Sequence, residues 1–176
     1  SANVVGATMK LNPHGDAAIY DTMVRLSRGN EALLHPFVDS KGSFGKQYSR
    51  DMAYAAPRYT EVRLDSFCET IFDGIDRDAV DFVPNYDNTM QEPTLFPATF
   101  PTVLVNANVG IAVSMASSVC PFNLAEVCET TIAVLKNPKH DILSTLKGPD
   151  FPGGGFLFYN ETELQKIYDT GRGSVT

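Results

Sequence analysis

Cysteine is scarce in this chain. Its three, Cys68, Cys120 and Cys128, are odd in number and show no Cys-x-x-Cys spacing. That argues against a disulfide framework or a zinc site, and for free thiols in a reducing cytosol. No apolar run reaches the roughly 18 residues that span a membrane, and nothing reads as a signal peptide. No Gly-x-x-x-x-Gly-Lys-Ser/Thr loop is present, so a phosphate-cradling nucleotide site of that kind is not expected here. Metal-ligand spacing is absent too. Asp16 and Asp21 are the nearest candidates, and helix capping and surface exposure explain them better. No repeat and no low-complexity tract is visible, and Gly153–Gly155 reads as a flexible turn.

Positive charge is also in short supply. The net charge of −7 taken alone speaks against a surface for nucleic acid. Its distribution softens that objection. Residues 1–63 carry 8 Lys+Arg against 6 Asp+Glu, and residues 64–176 carry 6 against 15, so the basic side chains concentrate in the first third. A segment of net +2 is only weakly basic, and most phosphate contacts would come from elsewhere. What the chain does have is bulk. Its 176 residues suit one domain, or one domain and the start of another, and 43% apolar content is ample for a core.

The pattern predicts an α+β fold. Residues 2–10 read as a short helix with Val4, Val5 and Met9 on one side. Pro13 to Gly15 form a turn, and Asp16 is expected to cap a helix over 17–28 with Ala18, Met23, Val24 and Leu26 on its apolar face. Helix, turn, helix is a DNA-binding shape, and the second helix would face DNA. Residues 36–58 read as an ordered loop region with short strands, a candidate wing, and residues 60–64 alternate. Phe67, Ile71 and Ile75 predict a helix over 65–80, an acidic and solvated one. Four prolines make 84–101 a surface crossing. Val103–Val105 and Ile111–Val113 read as two short strands joined by a turn at 106–110. Asn123 should cap a helix over 124–136, before Pro138. Residues 148–155 are turn-rich and lead to a helix near 161–168, and the chain then reads as cut in mid-strand.

One pairing carries chemistry. Tyr59 follows Arg58 in Ala-Ala-Pro-Arg-Tyr-Thr-Glu (55–61), and His14 lies 45 residues upstream in Asn-Pro-His-Gly-Asp (12–16). A free tyrosine, with a pKa of about 10, is a poor nucleophile at neutral pH. To attack a phosphodiester it needs a cation for the oxyanion and an acceptor for the phenolic proton. Arg58 could hold a non-bridging phosphate oxygen. His14 could carry the proton or donate to phosphate if the fold brings it near. Arg-Tyr is a common dipeptide, and spacing alone favours a surface or half-buried strand tyrosine with an incidental arginine neighbour.

The number of ordered motifs decides between these readings. Asn-Val-Val-Gly (3–6), Pro-His-Gly-Asp-x-Ala-x-Tyr-Asp (13–21), Phe-Val-Asp-Ser-Lys-Gly-Ser-Phe-Gly (37–45) and Arg-Tyr-Thr-Glu (58–61) occur in sequence. Val-Asp-Phe-Val-Pro-Asn-Tyr-Asp (80–87), Leu-Val-Asn (104–106), Gly-Ile-Ala-Val (110–113), Gly-Pro-Asp-Phe-Pro (148–152) and Gly-Arg-Gly-Ser-Val (171–175) follow. Together they resemble the breakage-reunion subunit of bacterial type IIA topoisomerases, the A subunits of DNA gyrase and topoisomerase IV, over essentially the whole chain.

The resemblance implies a winged-helix domain with the catalytic tyrosine over residues 1–100, and the start of a tower domain with a DNA-wedge hairpin over 101–176. It implies that Tyr59 forms a transient 5′-phosphotyrosyl link during ATP-dependent double-strand passage, with Arg58 and His14 in support. Ile111 would wedge between base pairs, an apolar insertion that unstacks and bends the duplex; a core isoleucine of a hairpin is the plainer alternative. Asn106, Arg25 and Lys41 are candidate DNA contacts, although solvated charge explains the last two equally well. Magnesium and ATP would be held by the partner B subunit. The implied partners are double-stranded DNA, that B subunit, and a second A subunit, in a bacterial cytoplasm and associated with the nucleoid. An isolated fragment is expected to lack strand passage. A non-catalytic winged-helix DNA-binding module is the alternative function.

Some positions depart from the family pattern and suggest a divergent paralogue. Asn12 stands where a second histidine is frequent. Ala17 replaces a serine that helps bind quinolones through a water–magnesium bridge, whereas Asp21 matches the acidic partner of that bridge. Asn-Ala-Asn-Val-Gly (106–110) replaces Asn-Gly-x-x-Gly, which puts the geometry of the hairpin in question.

Overall fold

The structure is a computed structural model and describes residues 1–28, 33–46, 49 and 51–176. Helices are mixed with three small antiparallel two-stranded sheets among the described residues, an arrangement compatible with α+β. The chain divides into two compact units, Ser1–Thr99 and Phe100–Thr176.

In the first unit, α1 (Ala2–Thr8) and α2 (Asp16–Leu26) form the helix pair expected from the sequence. Pro13 cannot continue a helix, and the bond from the His14 amide to the Asn12 carbonyl (2.8 Å) closes the connection. The cap of α2 differs from expectation. Gly15 occupies the N-cap in an extended conformation, and Asp16 is the first helical residue, its carboxylate accepting from the Ala17 amide at 2.9 Å. Acid in the first turn still complements the helix dipole. The buried face is Ile19, Tyr20, Met23 and Val24, while Ala18 faces solvent. These side chains meet Val5 and Phe44 in the core, with Val38 and Val62 packed against them.

Val38 and Val62 come from β1 (Val38–Lys41) and β2 (Glu61–Leu64), paired antiparallel with Val38 opposite Leu64 and Lys41 opposite Glu61. Two exposed cross-strand ion pairs decorate the ladder, Arg63–Asp39 at 2.7 Å and Lys41–Glu61 at 3.8 Å. Such pairs contribute about 0–1 kcal/mol each. Within the expected wing, residues 47, 48 and 50 lie outside the described residues.

The helix expected over 65–80 is cut short. A 3-10 turn at Ser66–Cys68 runs into the single helical turn α3 (Glu69–Phe72), and the chain then breaks into turns. Gly74 (φ 90°) and Asp78 (φ 60°) adopt positive φ, which a right-handed helix does not accommodate. The apolar spacing was genuine in part, since Ile71 is buried. The crossing over 84–101 also holds structure: β3 (Phe82–Pro84) pairs with β4 (Gln91–Pro93).

In the second unit the hairpin is shifted from its expected place. Thr102–Leu104 is a 3-10 turn, and the strands are β5 (Asn108–Ala112) and β6 (Met115–Val119), turning at Val113–Ser114. The Asn-rich stretch therefore leads into β5 instead of forming its turn. Helix α4 (Leu124–Lys136) begins as predicted, with the Asn123 side chain accepting from the Ala125 (3.0 Å) and Glu126 (3.4 Å) amides. Helix α5 (Glu161–Thr170) is capped by Asn160 and ends at left-handed Gly171. Val105, Phe122, Val127, Leu143, Leu146 and Leu164 are buried in this unit.

A candidate DNA-cleavage site

Tyr59 closes a short turn whose sequence dictates its shape. Ala56 is extended (φ −59°, ψ 148°), as a residue before proline should be. Pro57 presets φ for the 3-10 turn Pro57–Tyr59, which the Tyr59 amide closes by donating to the Ala56 carbonyl at 2.9 Å. Thr60 then extends (φ −123°, ψ 152°) into β2. The turn throws Tyr59 outward, leaving it 69% exposed. The Arg58 guanidinium lies 4.5 Å from the centroid of the Tyr59 ring, a cation over an aromatic face. At an exposed site that contact contributes about 0.5–1 kcal/mol. The phenol and the cation are thus presented together.

What lies behind the turn was not anticipated from the sequence. Thr60 is 4% exposed, and its hydroxyl lies 3.0 Å from the Tyr20 hydroxyl and 2.7 Å from Ser1 Oγ. Tyr20 also donates to the Ala55 carbonyl at 2.8 Å. Nearby, Tyr54 packs edge-on against Tyr20 (5.4 Å between centroids) and donates to the Asp21 carboxylate. That bond to an anion pushes the Tyr54 phenol above its usual range, because ionising it would set two negative charges side by side. A signal for Tyr20 did exist. It occupies a core position beside Ile19 and Met23 yet carries a hydroxyl, and a buried tyrosine hydroxyl requires a partner.

The remaining expected residues fall in different places. His14 is exposed and lines an apolar cavity of about 490 Å³ with Ala18, Thr22, Val62 and Arg63. Among the described residues no hydrogen bond or ring contact joins it to Arg58 or Tyr59. Arg25 is exposed in the last turn of α2. Lys41 is exposed but shared with Glu61. Ala17 and Asp21 are exposed on α2 one turn apart, with the Asp21 carboxylate engaged by Tyr54. In the second unit Ile111 is 87% exposed, on β5 opposite Ala116 and close to the tip of the hairpin, where the plainer expectation was a core isoleucine. Asn106 is buried, 6% exposed.

The described residues contain no group of three or more His, Cys, Asp or Glu able to hold a metal ion. Nor does any helix among them have the length and apolar character to cross a membrane.

A helix pair thus backs a turn that offers a tyrosine and an arginine to solvent. Comparison with known proteins gives the family. The family model for the A subunit of DNA gyrase/topoisomerase IV matches residues 1–176, and the chain belongs to that family. It is 44% identical to the A subunit of DNA topoisomerase 4 from Rickettsia conorii, over 99% of this chain and 24% of the relative. It is also 44% identical to the DNA gyrase A subunits of Granulibacter bethesdensis (100% of this chain, 19% of the relative) and Helicobacter pylori (99% and 21%). The chain therefore spans about a fifth to a quarter of the length of these relatives, and it is equally identical to both kinds of subunit.

Proposed function

We propose that the chain is the DNA-cleaving part of the A subunit of a type II topoisomerase and that Tyr59 is its nucleophile. The observation that supports this reading is the exposed Tyr59 phenol with the Arg58 guanidinium on its ring, mounted on a turn anchored from behind. The Tyr59 phenol loses its proton, and its oxygen bonds to a DNA phosphorus. The bond from phosphorus to the 3′ oxygen breaks. That oxygen leaves with the electron pair and takes up a proton. The products are a 5′-phosphotyrosyl link and a free 3′-hydroxyl, and resealing is the reverse. Arg58 steadies the charge on the non-bridging oxygens. His14 enters as proton carrier or phosphate donor.

Residues 1–100 act in this reading as a winged-helix domain, with α2 toward DNA and Arg25 and Lys41 on phosphates. Residues 101–176 begin a tower domain whose β5–β6 hairpin supplies Ile111 as a wedge. Ala17 and Asp21 occupy the quinolone position. Two A subunits pair, and their partners are double-stranded DNA and the B subunit, at the nucleoid in the bacterial cytoplasm. Magnesium and ATP belong to the B subunit; magnesium bound there would supply further positive charge at the phosphate.

The test uses the full-length A subunit with its B subunit, magnesium, ATP and internally labelled DNA, quenched in denaturant. Label is expected on the Tyr59 peptide and should vanish in Tyr59→Phe. DNA binding by the folded complex with no adduct would make the protein a non-catalytic DNA-binding module.

A further inference from the structure

Building on that reading of Tyr59, we infer that Tyr20 is a positioning residue that fixes the nucleophile relative to helix α2. Its side chain is 4% exposed and points from the core-facing side of α2 into the base of the Tyr59 turn. The single hydroxyl joins both ends of that turn: it donates to the Ala55 carbonyl at 2.8 Å and pairs with the Thr60 hydroxyl at 3.0 Å. Between these two anchors lie only residues 56–59, themselves closed by the bond from the Tyr59 amide to the Ala56 carbonyl. The Tyr20 ring is in turn wedged between Phe44 (6.3 Å between centroids) and Tyr54 (5.4 Å), so the hydroxyl has little room to wander.

The arrangement couples two functions through one side chain. Helix α2 carries Arg25 on its exposed side, and the next turn back carries Tyr20 on its buried side. Seating α2 on DNA therefore sets the height of the Tyr59 phenol above it. In-line attack is sensitive to placement, and a displacement on the order of 1 Å can cost about a hundredfold in rate. Removing the Tyr20 hydroxyl leaves the ring packed but cuts the link from α2 to both ends of the turn, which keep only their bonds to Ser1 and Ser43. It should impair the chemical step more than DNA binding, which rests on phosphate contacts elsewhere.

The experiment uses the full-length A subunit in complex with its B subunit, magnesium and DNA. It measures single-turnover adduct formation and DNA affinity separately. Tyr20→Phe is expected to slow adduct formation about tenfold or more while DNA affinity stays within about twofold. Thr60→Val, which removes the facing hydroxyl, should slow it too, and the double variant should lose less than the product of the two single losses, because the two share the Tyr20–Thr60 contact. Val24→Ala serves as a control that loosens the same core without touching the turn; below its melting temperature it should cleave at the unaltered rate. The inference is overturned if Tyr20→Phe cleaves normally, if the two rate losses simply multiply, or if Val24→Ala slows cleavage equally. Adduct persisting in Tyr59→Phe would instead overturn the assignment of the nucleophile, a separate failure.

Discussion

The Tyr59 turn and the β5–β6 hairpin both display a large side chain to solvent, and they are held in opposite ways. Tyr59 stands on a four-residue segment fastened at each end to a buried hydroxyl. Ile111 stands on a ribbon of two strands, paired only with each other among the described residues, whose tip residues Val113 and Met115 are 96% and 75% exposed. The contrast follows from what each must do under the proposed function. A nucleophile must be placed to within a fraction of an ångström, and that takes anchoring from behind. A wedge needs protrusion and an apolar surface, and the DNA itself supplies its packing partners.

Gly45→Ala should break the contrast most severely. Gly45 has φ 68°, and a Cβ there would sit 2.5 Å from the Met52 carbonyl oxygen and 2.8 Å from the Tyr54 amide nitrogen. Both neighbours are backbone and cannot yield cheaply. A loss on the order of 3 kcal/mol is expected, read as a lower denaturation midpoint of the first unit. The matching change in the hairpin, Gly110→Ala, meets only the rotatable Ser117 side chain at 2.9 Å and should cost about 1 kcal/mol or less. Equal losses would mean that the turn and the hairpin are not differently constrained.

Ile111→Ala separates the two from the other side. With the residue 87% exposed, stability should move by no more than about 0.5 kcal/mol. DNA bending, followed by energy transfer between end labels, should fall, and cleavage should drop about tenfold. Unchanged bending would return Ile111 to the ordinary surface.

Ala17→Ser adds a hydroxyl one turn from Asp21, beside the anchored region. It should lower the quinolone concentration for half-maximal cleavage by about threefold to tenfold, the effect of one added polar contact. No change would mean that position 17 does not set sensitivity.

Tyr168 offers the smallest effect, in the second unit. Its hydroxyl donates to the Leu146 carbonyl at 3.1 Å, and burial pushes its pKa up to about 12. The folded state therefore holds the proton more tightly than the unfolded chain, whose tyrosines titrate near about 10. The stability this contributes is complete below about pH 10 and is lost as pH rises through the folded value. Phenolate absorbance should show a late-titrating component that is missing in Tyr168→Phe, and the variant should lose less stability across that range.

The sequence made some of these features legible because their cause is local. Asn123 caps α4 through its own side chain, and Pro57 shapes the Tyr59 turn through its own ring, so residue identity is enough in both cases. Other features depend on tertiary context. The spacing of Phe67, Ile71 and Ile75 described one helix, but backbone turns at Gly74 and Asp78 stop it early. Asn106 to Gly110 carries turn-forming residues, yet Val105 and Asn106 are drawn into the core and the chain reverses at Val113–Ser114, where only Ser114, at φ 65°, marks the turn. Within the candidate site, Arg58 and Tyr59 are adjacent in sequence and were visible together. The Tyr20–Thr60 contact closes across 40 residues and was not.

The bare hairpin also has a practical consequence for handling. Its strand edges are unpaired among the described residues, and its tip is apolar. Exposed edges and apolar patches of this kind recruit one another when nothing covers them. Preparations free of nucleic acid should therefore self-associate as concentration rises, and short duplex DNA should keep them dispersed by covering the same surface.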